Sequence, residues 1–261
     1  MRYFNNGSSS NIWLLDLVRG GAMRLTFSTA MDEFPIWSPD GRHIAFTSNR
    51  EGRYNLYQRA ANGAGDDELL LKSDEDKAIT DWSKDGRFLV YNNLTEDRDI
   101  SVLPIAEGRK PILVLGTQFF EGHSKLSPDG QWMVYMSNES GRGELYVRPF
   151  KRPSSKENQA TGEHWMISTQ GGGGAQWPGD GKEVFYNSGG KIMAVLVKAG
   201  VSQGRPAFEA GVPKLLFDPH GVGYDKFAVT ADGQRFLVNI PIAEEKAQSV
   251  NVVLNWTALL K

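Results

Sequence analysis

The chain has 261 residues, with 29 Lys and Arg against 31 Asp and Glu and a formal net charge of −2. That balance supplies no basic field for gripping a phosphate backbone, so nucleic acid is not the expected partner. Cys is absent, which excludes disulfides, thiolate metal sites and Cys nucleophiles, while 40% apolar residues suffice for a core. No stretch approaches the roughly 18 apolar residues of a membrane span, so no membrane insertion by this chain is expected. Met1 to Gly7 holds no apolar run of signal-peptide length. Gly, at 29 residues, recurs among short β-branched and aromatic runs, and no window keeps a helical period, so the expected elements are strands and tight turns.

In chain order, residues 1–27 read as three strands: Arg2-Tyr3-Phe4, Asn11 to Leu15, and Met23 to Phe27. A box then recurs five times, in units near 33–72, 78–115, 122–169, 175–217 and 224–256. Its fullest copy is Trp37-Ser38-Pro39-Asp40-Gly41-Arg42-His43-Ile44-Ala45-Phe46. The others are Trp82 to Tyr91, Leu126 to Tyr135, Trp177 to Tyr186, and Val229 to Val238. The turn residues Asp40, Asp85, Asp129, Asp180 and Asp232 are spaced by 45, 44, 51 and 52 residues. That period fits a unit of four short strands, a to d, as in a propeller blade. Strand a ends at the Trp, the Asp-Gly pair turns the chain, and strand b follows. Strand c is expected at Asn55-Leu56-Tyr57, Ile100 to Val102, Leu145 to Val147, Ile192 to Val195 and Val250 to Leu254. Strand d is expected at Leu69 to Leu71, Ile112 to Leu115, Trp165 to Ile167 and Lys214 to Phe217. The leading remainder lacks strand a, and the fifth unit lacks strand d. A sheet this small cannot bury both faces alone, so neighbouring sheets must stack.

The stretch Trp37 to Gly52 resembles the repeat of TolB-like β-propellers, and the likeness extends over nearly the whole chain. The order of units and the ending Asn251 to Thr257 also resemble the propeller that follows a kinase domain in some bacterial Ser/Thr protein kinases. No Gly-rich nucleotide loop or His-Arg-Asp loop is present, so kinase activity is not carried over. The departures are Lys84 in place of the box Pro, the run Gly171 to Gly174, and Val229 in place of Trp. The implied fold is all-β: a TolB-like β-propeller of six four-stranded sheets, the first and last incomplete, with residues 1–261 as a single domain around a channel. The resemblance implies a periplasmic or extracytoplasmic docking role. A closed ring would bring the terminal sheets together. Their open edges would be covered by strand exchange or by self-association with a second copy.

A catalytic carboxylate occurs once in a site, whereas the five box Asp residues recur, so they are expected to serve turns. His43, His123, His164 and His220 show no metal-ligand spacing, and neither a cofactor nor a metal is expected. His123 and His220 are expected in loops leading into strand a, beside Glu121 and Asp225. The loops between strands b and c repeat a mixed-charge motif, Asn49 to Arg53, Glu96 to Asp99, and Asn138 to Arg142. Such charges are commonly solvated turn residues. Read functionally, Arg50, Glu51, Arg98, Glu121, His123, Arg142, His220 and Asp225 are the rim candidates for binding a protein, a peptide or a small polar ligand. No nucleophile elbow or phosphate loop appears. The expectation is a non-catalytic scaffold within a longer sensor or docking protein. The alternative is a hydrolase or lyase with a polar site at the channel mouth.

Overall fold

The computed structural model describes residues 2–5, 9–95, 98–106, 108, 110–151, 162–220, 227–239 and 251–253, with backbone alone for 2–5 and 251–253. The chain divides into two compact units, residues 1–116 and 117–261. Among the described residues every regular element is a strand.

The first unit holds three antiparallel sheets. The first runs β1 (Arg2–Asn5), β2 (Ser9–Leu15), β3 (Ala22–Arg24). The second runs β4 (Asp32–Trp37), β5 (His43–Ser48), β6 (Asn55–Ala60), β7 (Glu68–Leu71). The third runs β8 (Lys77–Trp82), β9 (Phe88–Asn93), β10 (Ile100–Pro104), β11 (Ile112–Leu115). Strand alternation explains the stacking. On β5, Ile44 and Phe46 pack with Ile12 and Leu25 of the first sheet and its neighbouring turn. Ala45 points the other way and packs with Ile79, Trp82 and Leu89 of the third.

The second unit repeats this logic. Its first sheet runs β12 (Glu121–Leu126), β13 (Trp132–Ser137), β14 (Glu144–Pro149), β15 (Trp165–Met166). The next contains β16 (Gly173–Gln176), β17 (Glu183–Ser188), β18 (Lys191–Ser202), β19 (Arg205–Ala210) and β20 (Lys214–Phe217). The last runs β21 (Phe227–Val229), β22 (Phe236–Val238), β23 (Asn251–Val253). Val184 and Tyr186 of β17 face Val134 and Val147, while Phe185 faces Phe227 and Phe236.

Among the described residues there are six sheets, the first and last three-stranded, as the sequence predicts. One strand was not anticipated. β18 runs on past β17 and turns at Gln203-Gly204, where both φ angles are positive (50° and 77°), into β19. This extra hairpin accounts for part of the long spacing between Asp180 and Asp232. The first strands of three sheets, β4, β12 and β16, share a bulge six residues before the turn Asp, where Phe34, His123 and Gly174 adopt φ of 52°, 53° and 59°.

Trp37, Trp82, Leu126 and Trp177 hold equivalent positions in the box, and the repeat predicts all four to be largely buried between adjacent sheets. Trp82 and Leu126 are, at 6% exposure each, and Trp177 is half-buried against the core of its unit. Trp37 is 53% exposed, which corrects the expectation at that position. The three-stranded sheet before it has no a–b turn among the described residues, so its ring lacks the cover that later sheets provide. In the last unit, Val250 and Leu254 to Trp256 lie outside the described residues.

Candidate functional site

Each complete sheet has two ends, and they are built differently. At one end sit the a–b turns. Asp40 Oδ1 accepts from Ser38 Oγ at 2.6 Å and from the Arg42 amide at 3.0 Å, and Ser38 Oγ in turn accepts from the His43 amide at 2.9 Å. Asp85 does the same with Ser83 (2.7 Å) and Arg87 (3.1 Å), and Asp129 with Ser127 (2.5 Å) and Gln131 (3.0 Å). Asp232 accepts from Thr230 and from the Gln234 amide. Asp180 keeps the amide bond, from Lys182 at 3.1 Å, but Pro178 stands where the hydroxyl would be. The five following glycines have φ between 65° and 75°, a region that penalises any side chain. These hydrogen bonds hold the exposed Asp40 and Asp232 carboxyls below the usual range: first the Ser38 or Thr230 hydroxyl, then the backbone amide. All five Asp residues therefore serve turns.

The opposite end carries the b–c loops and the d–a connections. In the first unit, Asn49 Oδ1 accepts the Met31 amide at 2.9 Å. Arg50 folds back over Tyr57 and Phe46, 4.5 and 5.6 Å from their ring centres. Its guanidinium bonds Asp67 at 2.5 Å, Asp32 at 3.0 Å and Ser48 Oγ at 2.9 Å, and Asp67 also pairs with Arg59 at 3.0 Å. Burial alone would lower the Arg50 pKa, but the bonds to Asp67 and the charge of Asp32 outweigh it and raise the value. Glu51 pairs with Lys72 at 2.7 Å, and Arg53 with Asp76 at 3.3 Å, so the loop is tied to the connection that enters β8. Lys77, the first residue of β8, is only 4% exposed. Its amine donates to Asn93 Oδ1 at 2.9 Å and sits 3.7 Å from Glu75, and burial lowers its pKa.

In the second unit, Asn138 Oδ1 accepts the Phe120 amide at 2.9 Å, repeating Asn49. The wiring that follows differs. Glu144, 1% exposed, accepts from Arg142 Nε at 2.6 Å, from the Gly171 amide at 2.9 Å and from Ser168 Oγ. Arg142 also donates to the Thr169 carbonyl. His164 meets Glu139 at 2.9 Å. Within the Gly171 to Gly174 run, the backbone passes close at Gly172: a Cβ there would lie 2.9 Å from Ser168 Oγ.

The rim candidates separate on this basis. Glu51 and Arg142 lie at exposed, ion-paired positions of the b–c loops, and Arg98 holds φ of 50° with its carbonyl accepting from Asn92. Arg50 is a structural clamp. Glu121 was expected in a loop but is the first residue of β12, 1% exposed, accepting the Thr117 hydroxyl. His123 was likewise expected in a loop and occupies the β12 bulge. His220 is exposed beside Asp218 at 3.4 Å. Asp225 lies outside the described residues. The sequence reading missed a buried charged position eight residues before the turn Asp, filled by Asp32, Lys77 and Glu121. The fixed offset was its only signal. Among the described residues no three His, Asp or Glu side chains gather to hold a metal, and no helix is long and apolar enough to cross a membrane.

Comparison with known proteins agrees with the fold. The chain is 28% identical over 167 residues to the uncharacterized peptidase YuxL of Bacillus subtilis, half of this chain and 25% of that protein. It thus spans about a quarter of that relative's length. TolB from Acinetobacter baumannii superimposes with a TM-score of 0.66 at 15% identity, covering 87% of this chain and 53% of TolB. The gluconolactonase XC5397 from Xanthomonas campestris superimposes with a TM-score of 0.58 at 14% identity, covering 84% and 72%. At such identities the structural likeness speaks to fold alone. The family model described as the TolB beta propeller domain matches residues 3–161, more than half of the sequence, and the chain belongs to that family.

Proposed function

We propose that this propeller is a non-catalytic binding module, engaging a protein or peptide through the b–c loop end of its sheets. One observation carries the reading. The a–b turns repeat one bonding scheme, whereas the b–c loops at Arg50 and at Arg142 are wired differently and leave exposed charges such as Glu51, Arg53 and Arg142 on a rigid frame. Loops positioned by a repeated scaffold are where binding specificity is commonly placed. The reading takes residues 1–261 as one propeller domain whose terminal sheets are covered by each other or by a second copy.

The test is selection of a random peptide library on the purified chain. A selected peptide should lose about tenfold or more in affinity when the loop charges are reversed (Glu51→Arg, Arg53→Glu, Arg142→Glu). It should be indifferent to reversal at the turn end (Arg42→Glu, Arg87→Glu). Peptides that respond only to the turn-end changes would reject the proposal. The second reading, a hydrolase or lyase, draws on the peptidase and gluconolactonase relatives. Turnover of a lactone or a chromogenic peptide by the purified chain would favour it over a binding module.

A further inference from the structure

The β18–β19 hairpin stands outside the four-strand repeat, and it creates a surface of its own. Phe208 of β19 is 6% exposed and anchors the hairpin on the preceding sheet, with its ring 5.4 Å from Trp132 and 5.8 Å from Trp165. Between the hairpin and β15 lies an open groove of about 550 Å³, lined by residues 162–165 and 206–209. Three features of this groove agree. Its walls are edge strands: among the described residues β15 pairs only with β14, and β19 only with β18. Its aromatic lining includes the half-buried indole of Trp165. Its rim is acidic, with Glu163 and Glu209 both exposed. Of the cations nearby, Lys198 pairs with Glu209 at 3.8 Å and the His164 ring with Glu139, Arg205 is exposed beside Pro206, and buried Arg148 places Nη2 3.4 Å from where a Cβ on Gly162 would sit.

We propose that this groove docks an extended segment of a partner protein carrying an arginine side chain. Free strand edges offer backbone amides and carbonyls to an extended chain. A guanidinium is planar, stacks on indole and bonds carboxylates through several N–H groups, so it matches a Trp floor with a Glu rim better than an ammonium or an apolar side chain does. The exposed carboxylates Glu163 and Glu209 favour a cationic side chain over an acidic one. This surface touches the neighbouring b–c loop through the contact of His164 with Glu139, but uses none of Glu51, Arg53 and Arg142.

The probe is the blocked peptide acetyl-Val-Thr-Val-Arg-Val-Thr-amide, with its Arg→Glu counterpart as control. Backbone and indole NMR resonances of the full chain are followed during titration at low salt. The Arg peptide should shift the signals of Gly162 to Trp165 and Ala207 to Glu209 in a saturable way, and added salt should weaken it. The Glu peptide should not shift them. The double variant Glu163→Lys, Glu209→Lys changes only exposed side chains, and its fold is checked by its urea midpoint. It should weaken the Arg peptide by about tenfold or more. Trp165→Phe removes the indole but keeps a ring, and should weaken it less. The proposal is overturned by equal responses to the two peptides, by affinity unchanged in the double variant, or by shifts confined to the b–c loops. That last outcome would still favour the loop-end binding module.

Discussion

The two ends of each sheet show opposite habits. At the turn end, Asp40, Asp85, Asp129 and Asp232 repeat a hydroxyl–carboxylate–amide relay with scarcely any variation. At the loop end, equivalent Asn49 and Asn138 begin the loops alike, and then the circuits diverge: Arg50 clamps Asp32 and Asp67, while Arg142 bonds Glu144. A feature repeated in every sheet answers a need that every sheet shares, which is closing strand a onto strand b. A feature that differs from sheet to sheet answers a local need. Repetition thus marks architecture here, and divergence marks the surface free to acquire a partner.

Stability measurements sharpen this contrast. The largest effect is expected at Trp82, whose ring lies in the core between the second and third sheets. Trp82→Ala should cost about 3–5 kcal/mol in urea unfolding. The equivalent but exposed Trp37→Ala should cost under about 1 kcal/mol. Equal losses at the two positions would mean that the box ring is not stabilised by its neighbouring sheet.

Arg50→Ala comes next. It takes the guanidinium from Asp32, whose side chain has no solvent exposure and keeps the Ser28 hydroxyl at 3.1 Å, and should cost about 3 kcal/mol. Arg142→Ala removes a half-exposed partner from a Glu144 that keeps two other donors, and should cost about 1 kcal/mol or less. A reversed order would place the structural clamp in the second unit instead.

Alkaline pH tests the strand-b tyrosines. Burial, the largest cause for both, raises the Tyr91 and Tyr186 phenols to about 12. The unfolded chain releases these protons near pH 10 and the folded chain only near 12. Stability is therefore full below pH 10 and falls as pH rises through that window, by about 1 kcal/mol per ring at pH 11. Tyr91→Phe should flatten the loss between pH 10 and 11, and an unchanged slope would remove Tyr91 as its source.

Much of the architecture was legible because turn chemistry is local. Asp-Gly after a small polar residue specifies its own bonds, and five copies mark where strand a meets strand b in five sheets. The failures are non-local. Glu121 looked like a solvated loop charge because its burial depends on residues stacked over β12 in space. Arg50 looked like a rim group because Asp67, which claims it, lies 17 residues away. β19 was overlooked because Gln203-Gly204 is a weaker hairpin signal than Asn-Gly or Asp-Gly, and the repeat gave no slot for it. Trp37 fits the box yet is exposed, since cover comes from a neighbouring sheet that local sequence does not describe.

The division of labour between the two ends is tested most directly by measuring stability and affinity on the same two variants, using a peptide selected on the chain. Asp85→Ala should lose about 1 kcal/mol of stability through its local bonds to Ser83 and Arg87, with affinity unchanged. Glu51→Arg, which breaks the exposed pair with Lys72, should keep its stability within about 0.5 kcal/mol. It should bind the peptide about tenfold more weakly. Affinity lost in Asp85→Ala and retained in Glu51→Arg would contradict the account.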